Sequence, residues 1–202
     1  MNPSATTQYN MRSRYAATRK RIFYVINPIS GGKNKKDFPQ ILKKNLDISK
    51  IEYDFAFTES RHHATELARQ AVANGFEFVV AVGGDGTVNE TAQALIGTSA
   101  VLGIVPMGSG NGLSRHLSIP LNPETAVRRV MKQMMVKMDV AYLNDKLFLC
   151  TSGIGFDAYV GHLFATSEMR GFSSYVTKTL QAFMSYKPQE YSIRTPFNVY
   201  ER

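Results

Sequence analysis

The sequence predicts an α/β fold: a parallel sheet with helices on both faces, followed by the start of a β-rich second domain. Three observations carry that prediction. Short β-branched runs alternate with segments whose apolar residues recur at helical spacing, the pattern of βαβ units joined by right-handed crossovers. Glycine-rich turns close three of the predicted strands. From about residue 138 the pattern changes to short runs separated by an Asn-Asp turn, as in antiparallel pairs.

The elements follow in order. Residues 22–26 form an apolar strand that ends at the turn Asn27-Pro28-Ile29-Ser30-Gly31-Gly32. Phe38, Ile41, Leu42 and Leu46 then share one face of a helix. Tyr53, Phe55 and Phe57 alternate as in a strand. Ala64, Leu67, Ala68, Ala71 and Val72 line a second helix, with Gly75 placed as its stop. The run 78–82 is a buried strand, followed by the turn 83–87 and a helix-like stretch through Leu95. A fourth strand over 101–105 ends in Pro106-Met107-Gly108-Ser109-Gly110-Asn111-Gly112. Asn122-Pro123 pairs a capping side chain with proline at the first helical position. Residues 138–142 and 147–150 read as a hairpin around Asn144-Asp145, and 173–185 as a helix. The expected divisions are a disordered basic tail over 1–21, an α/β domain over 22–137 and part of a β-rich domain over 138–202.

At 202 residues, 44% hydrophobic and 20% charged, the chain can bury one good core and part of another. No run reaches the ~20 apolar residues of a membrane span, and no apolar leader opens the chain, so a cytoplasmic protein is expected. The single cysteine, Cys150, lies in an apolar run and is expected to be a buried, inert thiol. The net charge is +8, but Arg12, Arg14, Arg19, Lys20 and Arg21 supply five of those charges with no acid among them. The remainder is only modestly basic and carries no recognition motif, so nucleic acid is not the expected partner. Weak attraction to an anionic membrane surface is compatible with the same charge.

The segment Gly83-Gly84-Asp85-Gly86-Thr87-Val88-Asn89-Glu90 stands at a strand–helix junction. Its glycines remove the Cβ atoms that hold a ligand off the backbone. Amides at a helix start, together with the helix dipole, favour phosphate. The bland reading is a tight turn that binds nothing, against which stand four polar side chains around the one turn. In parallel sheets ligands bind beyond the carboxyl ends of the strands. The turns at 27–32, 83–87 and 108–112 all fall there, which points to one shared site. The P-loop pattern, the protein-kinase signature and a G-x-G-x-x-G in the first βα turn are all missing. His62 and His63 are adjacent, so on a helix their side chains diverge; they are expected at the surface rather than on a metal.

Asn-Pro-x-Ser-Gly at 27–31, Gly-Gly-Asp-Gly-Thr-x-Asn-Glu at 83–90 and Pro-x-Gly-Ser-Gly-Asn at 106–111 together resemble the diacylglycerol kinase catalytic family, which includes bacterial lipid kinases and sphingosine kinases. NAD kinases share Gly-Gly-Asp-Gly but carry their Asn-Glu pair far downstream. Phosphofructokinases share the turn but not the other two motifs. Residues 152–158 look like the family's entry into its lipid-facing β-sandwich, and Thr58 with His63-Ala64-Thr65 like its second nucleotide-contacting loop.

The resemblance implies transfer of the ATP γ-phosphoryl group to the hydroxyl of a diacylglycerol-like or sphingoid-like lipid, at a membrane surface and with Mg²⁺. It assigns Asn27, Ser30, Gly31, Thr58, Gly84, Asp85, Gly86, Thr87, Asn89, Glu90 and Ser109 to the nucleotide. Asp85 is the acid available for Mg²⁺ or for the attacking hydroxyl, unless it only caps its own turn. Glu90 would accept from nucleotide hydroxyls or brace the loop. Lys33 and Arg115 would neutralise phosphate or else stand as solvated surface. Metal ligands stay unassigned.

Two departures qualify the resemblance. Gly112 stands where bacterial members have Asp, which leans toward the sphingoid-kinase pattern. The family's general base, in an Asp-Gly-Glu-like turn, has no counterpart after Tyr191. A nucleotide-binding protein without transfer is therefore the second reading, and open strand edges would favour self-association.

Overall fold

The computed structural model describes residues 19–32, 35–165, 179, 182–183 and 185–201. The segment 1–18, Lys33 and most of the helix expected over 173–185 lie outside the described residues.

A four-stranded parallel sheet organises the chain, with strand order β2-β1-β3-β4. Its strands are β1 (Lys20–Ile26), β2 (Ile51–Phe57), β3 (Phe78–Gly83) and β4 (Val101–Pro106). Between them run α1 (Phe38–Asn45), α2 (His63–Ala73) and α3 (Asp85–Leu95), followed by α4 (Gly112–His116) and α5 (Pro123–Met131). Both faces of the sheet are covered, as the α/β expectation requires. Because side chains alternate along a strand, Ile22, Tyr24 and Ile26 of β1 face Phe38 and Leu42 of α1 and Ala126 and Val127 of α5. Val25 and Val79 face the opposite layer, with Ala64, Leu67, Ala68 and Ala71 of α2 and Ala94 and Leu95 of α3. Central β3 is buried over its whole length, which is why its run is continuously apolar.

β1 starts at Lys20, earlier than its apolar run. Lys20 meets Glu77 at 2.5 Å, Arg21 meets Glu52 at 3.1 Å, and the Arg21 guanidinium lies 4.5 Å from the centre of the Phe76 ring. Pairing with Ile51 and Glu52 of β2 draws both residues into the sheet, so they are not part of a tail. Local signals elsewhere hold. Gly75 ends α2 at φ +77. The Asn122 side chain accepts the Thr125 N–H at 3.0 Å ahead of Pro123.

Beyond α5 the chain forms an antiparallel ribbon, β5 (Ala141–Leu143) with β6 (Lys146–Phe148), then α6 (Phe156–Ala165) and a second ribbon, β7 (Ser192–Arg194) with β8 (Val199–Glu201). Asn144 and Asp145 have φ of 47° and 62°, as a two-residue type I′ hairpin needs. These strands are shorter than expected, and the second ribbon, with three residues in each strand, falls where no strand is expected. Cys150 is exposed, contrary to the buried thiol expected. It follows a strand that ends at Phe148 and opens a loop whose residues 150–154 are exposed. Among the described residues no helix is long and apolar enough to cross a membrane.

Candidate nucleotide site

The three strand-end turns touch one another through backbone. Gly31, in the 3-10 turn Ser30–Gly32 after β1, has φ +63, and a Cβ there would fall 2.5 Å from the Met107 carbonyl oxygen. A Cβ on Gly108 would fall 2.4 Å from the Cα of Gly84. The turn after β1 therefore rests on the one after β4, which rests on the one after β3. Only residues without side chains allow that approach.

Hydrogen bonds fix the junction. The Asn27 N–H donates to the Val82 carbonyl at 3.0 Å, and its side-chain amide donates to Thr87 Oγ1 at 3.1 Å. Asn27 Oδ1 accepts the Ile29 N–H at 3.1 Å. The Met107 N–H reaches the Gly83 carbonyl at 2.7 Å, and Ser30 Oγ reaches the Met107 carbonyl at 3.3 Å. Thr58 lies at the same sheet edge, its N–H on the Ile26 carbonyl at 2.8 Å. Gly84 is the extended residue before α3, so the first-turn amides of Asp85, Gly86 and Thr87 have no carbonyl of their own helix to meet. Asp85 and Gly86 are exposed, whereas Thr87 is buried against Asn27.

In the loop after β4, Asn111 adopts a left-handed conformation with φ 55 and bonds Gly108 twice. Its Oδ1 accepts the Gly108 N–H, and its amide donates to the Gly108 carbonyl, both at 2.9 Å. Ser109 and Gly110 stand exposed at the apex. The Asp85 carboxylate leans over this loop: a Cβ at Gly110 would lie 3.0 Å from one of its oxygens, and one at Gly112 3.7 Å from the other. Gly112 thus leaves Asp85 without a second carboxylate beside it. Arg115 turns back onto the Gly110 carbonyl at 3.0 Å. A cavity of about 260 Å³ opens here between Asp85, Gly86, Asn89 and Leu113 on one side and Phe148 to Thr151 on the other.

Not every expected residue turns toward the junction. Asn89 donates to the Leu147 carbonyl at 3.1 Å, tying α3 to β6, while its Oδ1 is buried without a partner. Glu90 is half-buried, and its carbonyl accepts from Thr65 Oγ1 at 2.8 Å. His62 is exposed, and His63 Nδ1 accepts the Glu59 N–H at 3.0 Å. No cluster of three or more His, Cys, Asp or Glu side chains fit for a metal occurs among the described residues. Lys35, which the sequence reading passed over, is buried and donates to the Ser30 carbonyl. It sits in the polar run 33–36, whose composition signals solvent rather than burial.

A second cavity, of about 480 Å³, lies beside Gly153, Ile154 and Gly155 and is walled by Tyr159, Tyr186 and Tyr191. The Phe156 and Tyr159 rings pack on Tyr186 with centroids 5.5 and 5.6 Å apart.

A family model described as the diacylglycerol kinase catalytic domain matches residues 21–143. The diacylglycerol kinase of Staphylococcus saprophyticus is 31% identical over 134 residues, covering 65% of this chain and 44% of that protein. The diacylglycerol kinase of Bacillus subtilis is 29% identical over 181 residues, covering 87% of this chain and 59% of that protein. A crystal structure of a Bacillus anthracis diacylglycerol kinase superposes with a TM-score of 0.64 at 23% identity, covering 92% of this chain and 63% of that one; the likeness is one of fold. The chain spans about half the length of the curated relatives it matches. The match over residues 21–143, with the three turns in backbone contact, makes this chain a member of the diacylglycerol kinase catalytic domain family.

Proposed function

We propose that the chain is the nucleotide-binding part of a lipid kinase, which transfers the γ-phosphoryl group of ATP to the hydroxyl of a diacylglycerol-like or sphingoid-like lipid. The carrying observation is the backbone contact of the turns at Gly31, Gly84 and Gly108 around the start of α3. Such a junction offers unblocked amides to a polyphosphate, and phosphoryl transfer depends chiefly on positioning and charge neutralisation.

Under this reading Gly31, Gly84 and Gly86 meet phosphate through backbone, and Ser30, Thr58 and Ser109 through side-chain hydroxyls. Asn27 and Thr87 hold the turns together. Asn89 joins the site to the β5–β6 ribbon, and Glu90 braces α3. Mg²⁺ would neutralise phosphate charge and find one protein oxygen in the exposed Asp85 carboxylate, its other ligands being phosphate and water as is usual for this ion. The aromatic-walled cavity at Gly153–Gly155 supports an acceptor with an apolar body. The acceptor's nature places the work at a membrane surface reached from the cytoplasm.

The test is incubation with γ-³²P-ATP and vesicles containing diacylglycerol or sphingosine. Label in the organic extract is the expected result. ATP binding by calorimetry without labelled lipid would make the chain a nucleotide-binding protein that performs no transfer. Absence of ATP binding would sink both.

A further inference from the structure

We infer that Lys35 is a positioning residue of this site: from behind the turn after β1, it holds and polarises the Ser30–Gly31 peptide so that the Gly31 N–H serves as a phosphate donor. The inference rests on the nucleotide reading above and goes beyond it.

Lys35 is only 1% exposed, an unusual state for a lysine. Burial of an ammonium is tolerated when it is bonded, and this one donates to the Ser30 carbonyl. That carbonyl and the Gly31 N–H belong to the same peptide. The chain has no cis peptide bonds among its described residues, so the two groups point in opposite directions across a planar unit. With the cation behind, the N–H is in front. Gly31 is exposed, so an anion can reach it.

Two further features hold that peptide plane. Gly31 is the left-handed residue of the 3-10 turn, at φ 63 and ψ 17. A left-handed residue within a helical turn directs consecutive N–H groups into a concavity suited to an anion. Its backbone also abuts Met107 and Gly108, so the turn cannot rotate without leaving the neighbouring loop. A cation on a carbonyl strengthens the N–H of the same unit, since hydrogen-bonded groups polarise one another, most of all in a low-dielectric surrounding. Lys35 thus acts on phosphate through Gly31 and need not touch it.

The test compares wild type with Lys35→Met, which keeps the chain length and removes the charge, and with Lys35→Arg, which keeps the charge. Binding of ATP and of adenosine is measured by calorimetry, with circular dichroism reporting the fold. The expected result is a roughly tenfold loss of ATP affinity in Lys35→Met, adenosine affinity unchanged within about twofold, and ATP affinity restored in Lys35→Arg. Equal ATP affinity in Lys35→Met and wild type would overturn the inference. A parallel loss of ATP and adenosine would overturn it too, since it would mean general support of the fold. If Lys35→Met does not fold, the ¹⁵N–¹H signal of Gly31 in the wild type decides, titrated with inorganic tripolyphosphate. A downfield shift supports the role, and an unmoved signal ends it. A wild type that binds neither ATP nor adenosine removes the nucleotide reading itself. A wild type that binds ATP beside an equally competent Lys35→Met removes only the role of Lys35.

Discussion

Strands β3 and β8 are made of similar residues and have opposite fates. Phe78-Val79-Val80-Ala81-Val82 is buried throughout, whereas in Val199-Tyr200-Glu201 the valine and tyrosine are 57% and 56% exposed. Both are rich in residues that favour strands. The difference is neighbours: β3 has a parallel strand on each side and helices on both faces, while β8 has one antiparallel partner among the described residues. β propensity is thus chiefly a capacity to be packed, and a two-stranded ribbon supplies little packing.

Substitutions can break or sharpen this contrast, beginning with the largest effect. Gly84→Asp puts bulk and charge where the turns meet, a Cβ there being only 3.1 Å from the Gly108 Cα. ATP binding should disappear, and calorimetry showing unchanged affinity would separate this junction from the site. Next, Leu42→Ala in the sheet core should cost about 2–5 kcal/mol of unfolding free energy. Leu143→Ala in the first ribbon should cost under about 0.5 kcal/mol in the same urea titration. Equal losses would mean that the ribbons share the cooperative core.

Smaller effects test the seams. Removing the Asn122 cap by Asn122→Ala should cost about 1 kcal/mol, read as a lower denaturation midpoint. Asn89→Ala should raise amide exchange at residues 146–148 more than in β3, because it cuts the bond from α3 to the ribbon.

The smallest change concerns Tyr24, whose hydroxyl is buried without a partner. Burial, and to a lesser degree Tyr53, raise its pKa above the ordinary 10.0. In the unfolded chain the phenol ionises near its ordinary value, while in the fold it stays neutral. Its contribution to stability is therefore whole below pH 10 and falls away above it. Tyr24→Phe should leave neutral-pH stability equal or up to about 1 kcal/mol higher. It should also flatten the decline in melting temperature between about pH 9 and pH 11. A steeper decline in the variant would assign the alkaline loss elsewhere.

The parallel sheet was legible because a strand covered on both faces must be apolar at every position, as 78–82 is. Asn122-Pro123 and Gly75 were legible for a local reason: a cap or a stop acts within one turn. The glycines announced close approach without naming the partner, and the contact of Gly31 with Met107 joins segments far apart in sequence. Lys35 escaped notice because tertiary closure buries it, while its composition places it with solvent. The reverse holds at Cys150, where an apolar run predicts burial but the residue falls past the end of β6, in an exposed loop. The second ribbon escaped because each of its strands is three residues long, too short for a period-2 pattern to register.

The central place of β1 also bears on synthesis. Ile22 pairs with Tyr53 on one side and Phe78 on the other, so the first of the four sheet strands to be made obtains its second partner late. At about 5–20 residues per second, the ribosome needs seconds to deliver β3. Through that interval Ile22, Tyr24 and Val25 are made but cannot yet be enclosed. Of the four strands of this sheet, the earliest made is thereby the one with most to gain from a chaperone at the tunnel exit.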